Sequence, residues 1–336
     1  MPQTFDMLKR NFHIGHILII IFGFVSSGNL WADTNSDVSS IFDALSYKEV
    51  VDITIEGDIS FLIENRRDQE DHEAIMSFED KDGNLQEWTV NLSIRGKFRR
   101  MFSKGVPPLK LDFKKKILKE QGLKAYDDIK LVTLFHADKK EAYQTLVKEF
   151  LTYKIYNVLA EESYRVQLLK IKFKDSSSGK TFKENGFIIE DYAQLLDRIG
   201  AKKIENISEL TFEDFDSAQT EFVSLFQYMI GNGDWGLTTK KNIEICEKDG
   251  RAIAIPFDFD FCGLVDASYA VPNNIYNISS VRDRIYLGRK DSLQEILGVY
   301  SLFENKKEEI LEITSKCKLL SRESRNKTTD YLRSFF

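Results

Sequence analysis

Histidine, cysteine and proline are scarce in this chain: four, three and five residues among 336. Of the histidines, His13 and His16 fall in the N-terminal apolar segment, which leaves His72 and His136 far apart from each other and from any cysteine. Zinc sites, which gather His and Cys at short spacings, and Ser-His-Asp chemistry are therefore not expected. Cys246, Cys262 and Cys317 form no CxxC pair, so no disulfide framework holds the fold. The shortage of proline argues against long linker segments, and a net charge of −6 is not the balance of a nucleic-acid-binding protein. No apolar run after the N-terminal one is long enough to span a bilayer.

What is present begins with that N-terminal run. MPQTFDMLKR supplies two positive charges, Ile14 to Val25 is apolar apart from Gly15 and His16, and Ser26-Ser27-Gly28 follows. This is the pattern of a secretory signal peptide over residues 1–32, cleaved after Ala32 or near Gly28, and it predicts a secreted or periplasmic protein. Leu30 departs from the small-x-small rule, and an uncleaved membrane anchor is the alternative.

In the rest of the chain, phenylalanine is abundant at 25 residues and the periodicity changes once. Val50 to Glu56, Ser60 to Asn65, His72 to Glu79 and Glu87 to Arg95 alternate as strands, with Asp82-Gly83-Asn84 as a hairpin turn. Leu109 to Phe113 and Ile129 to Phe135 read as further strands, and Glu141 to Ala160 as a long helix. Arg165 to Phe173 and Gly186 to Glu190 complete a sheet. Beyond Asp191 the pattern turns helical, with Phe212 to Met229 stopped by Gly231, a hairpin at Asn242 to Cys246 and Ala252 to Phe257, and a helical end from about Asp291. Sheet first and helices later predicts an α+β fold of two lobes, 33–190 and 191–336.

The chemistry concentrates between Gly231 and Gly263. Asp234 stands in a Gly-flanked loop, where it can orient a hydroxyl or act as a base; an ordinary turn aspartate is the competing reading. Asn242 opens a strand, where Asn is disfavoured, and its amide oxygen suits Mg²⁺. Asp258 and Asp260 end an apolar strand and, two residues apart, point to one side as oxygen ligands or as turn carboxylates. Lys110 is a cation within an apolar strand and could reach phosphates. Glu149, set into the apolar helix, is its candidate partner, and Arg95-Gly96 with Arg99 and Arg100 could face a phosphate, Gly96 allowing close backbone approach. Exposed positions are the alternative for both members of the Lys110–Glu149 pair, and the favoured one for Lys114 to Lys116.

With these residues assembled, the chain resembles the spore-coat CotH-type kinases and, more distantly, the HipA-type kinases. IRGKFRRMF with PPLKLDF is similar to that family's Arg-Gly strand and Lys-bearing strand, VKEFLTYKIYN to its following helix, and GFIIEDY to its hinge. GNGDW, KN and IPFDFD are similar to its catalytic and metal loops, although Gly236 to Lys241 lengthen the loop and no histidine is near it. The resemblance implies a protein-kinase-like fold with an antiparallel β-rich N-terminal lobe and a mainly helical C-terminal lobe. It also implies Asp234 as the catalytic Asp, Asn242 and Asp258 as metal ligands, Lys110 as the phosphate lysine, and Glu190, Asp191 and Tyr192 as an adenine-edge hinge. The expected activity is transfer of the γ-phosphate of ATP, with Mg²⁺, to a protein or small-molecule hydroxyl. A kinase-like binding protein without turnover is the alternative, and a metal-dependent phosphoesterase a third, for which too few Asp and His ligands are found.

Overall fold

Strand β1 (Val50–Gly57) decides the architecture, because both of its edges are paired. It runs antiparallel to β2 (His72–Glu79) on one side and parallel to β6 (Val166–Asp175) on the other, from Val50 opposite Leu168 to Gly57 opposite Asp175. In this computed structural model, which describes residues 40–103, 105–135, 138–289 and 293–336, the parallel ladder closes a seven-stranded barrel. The remaining barrel strands are β3 (Leu85–Ile94), β4 (Leu109–Phe113), β5 (Asp128–Thr133) and β7 (Thr181–Ile189), in the order β1-β2-β3-β4-β5-β7-β6. The signal segment and His136 lie outside the described residues.

Alternation of apolar side chains fills the barrel. Ile53 and Ile55 of β1 stand in register with Ile171 and Phe173 of β6, while Leu109 and Leu111 of β4 oppose Leu131 and Ile129 of β5. All belong to one buried cluster. Closure leaves no barrel edge open to strand addition. The two-lobed, protein-kinase-like plan is thereby overturned: the strands form a closed mixed seven-stranded barrel accompanied by helices, not an antiparallel β-rich lobe followed by a mainly helical one. A parallel pairing across more than a hundred residues leaves no local turn signature, which is why periodicity alone read the strands as a meander.

Short helices decorate the barrel: α1 (Ile41–Ala44), α2 (Ile59–Glu64), α3 (Phe98–Phe102) and α4 (Lys115–Glu120). The strand expected at Ser60 to Asn65 is helix α2. Asp58 accepts the Phe61 amide as its N-cap, and Ile59 and Leu62 are buried at a three-residue spacing that suits a helix. Between β5 and β6 runs α5 (Lys139–Leu159), buried on most of its faces. After the barrel come α6 (Tyr192–Ile199), the short β8 (Lys202–Lys203) and α7 (Ser217–Met229). The hairpin of β9 (Ile243–Lys248) and β10 (Arg251–Pro256) then joins β8 in a three-stranded sheet. Helices α8 (Leu293–Asn305), α9 (Lys307–Ser315) and α10 (Arg322–Arg333) end the chain. The helix expected from Phe212 begins only at Ser217, where Asp216 caps it; Phe212–Asp214 is a separate 3₁₀ turn. Among the described residues no helix is long and apolar enough to cross a membrane.

Barrel closure has a direct consequence for exchange. The backbone amides of Val50–Gly57 that face β6 should exchange with deuterium as slowly as those of β3, whereas rapid exchange along β1 would show a sheet with a free edge there.

Candidate functional site

The open end of the β9–β10 hairpin gathers the residues singled out in the sequence. Asn242 precedes β9 and Asp258 follows β10, and the Asn242 carbonyl accepts the Phe257 amide at 3.1 Å, so the two lie on neighbouring strand ends. Both residues have left-handed backbones, φ 53° and 61°. Such strain in a non-glycine residue is held only where surrounding contacts dictate it. The Asn242 amide nitrogen donates to the Asp234 carbonyl at 2.7 Å and to its Oδ2 at 3.0 Å. Both partners are acceptors only, which fixes the amide's orientation and leaves its oxygen as the ligand atom. Lys241 pairs with the other Asp234 oxygen.

The loop carrying Asp234 is anchored below. The Asp234 amide donates to Asn232 Oδ1 at 2.9 Å, and the buried Asn232 side chain donates to Gln227 Oε1 of α7 at 3.0 Å. Gly231 has φ 66°, and a Cβ there would lie 2.0 Å from the Tyr331 hydroxyl, so conformation and space both require glycine.

Next to this hairpin end is a buried ionic cluster. Arg99 of α3 donates to Glu149 at 2.5 Å and, through Nε, to Asp260 at 3.0 Å, and Tyr269 donates to the same Asp260 oxygen at 3.1 Å. Glu149 and Tyr153, four residues apart, share one face of α5; the Tyr153 hydroxyl accepts the Asp258 amide at 2.9 Å. One helix face thus positions both carboxylates after β10. Burial opposes the charge on Arg99, yet Asp260 and Glu149 hold it well above its ordinary range. Burial pushes the Glu149 carboxyl up to about 8 against the pull of Arg99, with Asp260 and Asp258 adding to the rise. Asp258 is raised to about 6, by the surrounding protein first and by the charge of Asp260 second; its side chain still reaches solvent, so the neighbouring charge is the firmer cause. Three carboxylates crowd one guanidinium, which favours keeping a proton among them.

Cations line up on neighbouring barrel strands, and one of them meets the hairpin. Lys110 of β4 stands opposite Ser93 of β3 and Lys130 of β5, and Arg95 follows Ser93 by two residues. Lys130 is the innermost: its Nζ lies 3.7 Å from Glu244 of β9 and 5.4 Å from the centres of the Tyr164 and Phe257 rings. Burial lowers its pKa, Glu244 opposes that, and Arg95 reinforces it. The Arg95 amide donates to the Pro108 carbonyl at 2.9 Å, which keeps the end of β3 beside the start of β4. Gly96 next to it has φ 78° with open space where a Cβ would be, so backbone conformation, not packing, requires glycine there.

Some expected pairings are replaced. Lys110 does not meet Glu149; it pairs with Asp112 of its own strand at 2.8 Å, and Arg99 is the partner of Glu149. Glu190 is fully buried between Arg165 at 2.9 Å and Arg198 at 2.6 Å, and its amide donates to the Arg165 carbonyl. Asp191 caps α6 and accepts the Asp128 amide at 2.8 Å, while the Tyr192 hydroxyl donates to the Ile245 carbonyl at 3.1 Å. The carboxylates of Glu190 and Asp191 are thus engaged inside the fold. Lys130 was missed in the sequence although it repeats the signal that marked Lys110, a lysine within an alternating apolar strand.

The oxygen donors at the hairpin end are the Asn242 amide and the Asp258 carboxylate; Asp260, also expected as a ligand, is engaged by Arg99 and Tyr269. Among the described residues no group of three or more His, Cys, Asp or Glu side chains is placed to hold a metal by itself. Such a set fits Mg²⁺ arriving with a nucleotide, since that ion takes one or two carboxylates and fills its remaining positions with phosphate and water. No protein-family model matches the chain, and no curated protein matches it in sequence.

The ionic cluster sets a pH dependence. The folded pKa of Glu149 lies above its unfolded value of 4.5, so the fold binds a proton that the unfolded chain releases, and stability should fall as pH rises from about 4.5 through about 8. Glu149→Gln, which keeps a partner for Arg99, should flatten that decline, narrowing the loss of melting temperature by roughly 2 °C or more. Identical pH profiles for wild type and variant would contradict the shared-proton arrangement.

Proposed function

We propose that this chain is a phosphotransferase that moves the γ-phosphate of ATP to a hydroxyl acceptor. The observation that carries the reading is the hydrogen-bonded pair Asp234–Asn242 beside Asp258 at one hairpin end, in which an Asp–Asn–Asp order in sequence becomes one site in space. Phosphoryl transfer asks the protein chiefly for positioning and for charge stabilisation. Asp234 accepts the acceptor hydroxyl's hydrogen bond, and Asn242 and Lys241 hold its carboxylate in place. Mg²⁺ bound with the nucleotide at Asn242 and Asp258 would neutralise charge on the phosphates. Lys130 faces the hairpin and binds phosphate oxygens, with Lys110 opposite it on the neighbouring strand; Tyr164 and Phe257 border Lys130 with aromatic surface.

A second reading, nucleotide binding without turnover, is favoured by one observation: Arg99 already occupies Asp260 and Glu149, which reduces the free donors near the hairpin. The two readings separate experimentally. Mg²⁺ and ATP together, but neither alone, should raise the melting temperature, and Asp258→Asn should remove that synergy. Lys130→Met should weaken ATP binding about tenfold, the loss of one charge-assisted hydrogen bond. Asp234→Asn should keep the thermal shift and lower phosphate transfer by about 100-fold or more. Transfer undiminished in Asp234→Asn would remove that residue's role, and a shift with no turnover in wild type would favour the binding protein.

A further inference from the structure

Strand β6 turns Lys170, Lys172 and Lys174 to the outside of the barrel, one after another on the same face. Lys174 is neutralised by Glu56 of β1 at 3.0 Å. The other two are not. Asp52 stands opposite Lys170 but pairs with Lys48 at 3.8 Å, and Lys172 stands between Thr54 of β1 and Lys183 of β7. Among the described residues no carboxylate lies within ion-pair distance of Lys170, Lys172 or Lys183. Glu184, next to Lys183, is buried on the other face of the strand, with its carboxylate against Gly105. Ser77 of β2 extends the row beyond Thr54, so Lys183, Lys172, Thr54 and Ser77 line up across four strands. This row crosses an outer groove of about 680 Å³, to which Asn185 and Tyr47 also contribute. The Tyr47 hydroxyl donates to the Glu79 carbonyl at 2.8 Å, which fixes the ring at the rim.

We propose that this groove is a second binding site, independent of the hairpin end, and that its ligand is a sugar phosphate. Like charges directly opposite each other on paired strands are destabilising, and the Lys172–Lys183 pair has no acidic neighbour to relieve it, whereas Lys174 one pair along does. An anion between the two ammonium groups removes that repulsion. Four donor side chains in one row exceed what the two oxygens of a carboxylate can use. They match a phosphate monoester, which presents three acceptor oxygens and a charge of about −1.5 to −2. A phosphate group alone fills a small part of a groove of about 680 Å³. The rest of the lining is the carboxamide of Asn185, the Asp52 carboxylate and the Tyr47 ring, groups that meet hydroxyls and the ring face of a sugar and give a long apolar ligand little surface. None of these residues belongs to the site at the hairpin end.

The test is calorimetric titration of the protein with glucose 6-phosphate, inorganic phosphate, glucuronate and glucose at low salt. Glucose 6-phosphate should bind about tenfold or more tightly than each of the others, the discrimination expected for one additional set of polar contacts. Lys172→Met and Lys183→Met, both at exposed positions, should each weaken it about tenfold, and Lys172→Arg should retain it. Neither methionine variant should lower the melting temperature of the free protein, since each removes a repulsion. Lys130→Met should leave the binding unchanged, which separates this site from the hairpin end. No binding of glucose 6-phosphate, or binding that Lys172→Met and Lys183→Met leave intact, would overturn the site. Inorganic phosphate binding as tightly would overturn the sugar as part of the ligand, and glucuronate binding as tightly would overturn the phosphate. Binding lost in Lys130→Met alone would assign the ligand to the hairpin end and overturn the second site, while the phosphotransferase reading stands or falls on its own measurements.

Discussion

Arg99 holds together three segments that are far apart in the chain. Its guanidinium joins the end of the barrel's third strand to helix α5 through Glu149 and to the loop after the hairpin through Asp260. A buried charge of this kind is expensive to desolvate, and its net contribution to stability is small even when well paired. What it provides is register. With Glu149 at 2% side-chain exposure and three carboxylates near one cation, a shift of α3, α5 or the hairpin loop would strand a buried charge. The relative placement of barrel, helix and hairpin end therefore depends on this cluster, and so does the position of Asp258 beside it.

The site itself is built by backbone geometry as much as by side chains. Left-handed conformations at Asn242 and Asp258 turn the chain sharply at both ends of the hairpin, and the bond from Phe257 to the Asn242 carbonyl keeps those ends adjacent. Helix α5 supports them from below with Tyr153. The barrel contributes its outer face, from which Lys130 approaches Glu244 of the hairpin. Left-handed backbones also occur at Lys240, Asp249, Asp266 and Asn277, so what sets Asn242 and Asp258 apart is their adjacency at one hairpin end beside raised carboxyl groups.

Much of this was legible without coordinates. The hairpin at Asn242 to Phe257, the helix from Glu141 and the strand at Leu109 carry their periodicity locally, and each was read within a few residues of its observed bounds. Asp234, Asn242 and Asp258 were legible as a group because the turn and the hairpin between them limit how far apart they can lie. The partner of Glu149 was not. A helix glutamate in an apolar stretch announces that a cation must meet it, but Lys110 and Arg99 were both available, and the choice rests on which side of a strand faces the helix after the sheet has closed. The α2 segment misled because Ile-Ser-Phe-Leu-Ile-Glu serves either period; the Asp58 cap decides for helix.

By itself, then, the sequence determined the local elements and the short hairpin that brings Asp234, Asn242 and Asp258 near one another. Only the tertiary structure decided that β1 pairs in parallel with β6 to close a barrel, that Arg99 rather than Lys110 neutralises Glu149, and that Lys130 points at the hairpin. The physical reason is common to all three. Periodicity and capping are set by residues a few positions apart, whereas a parallel ladder, a buried ion triad and the facing of two sheets are contacts between segments separated by fifty residues or more, each selected by the summed burial of the whole core.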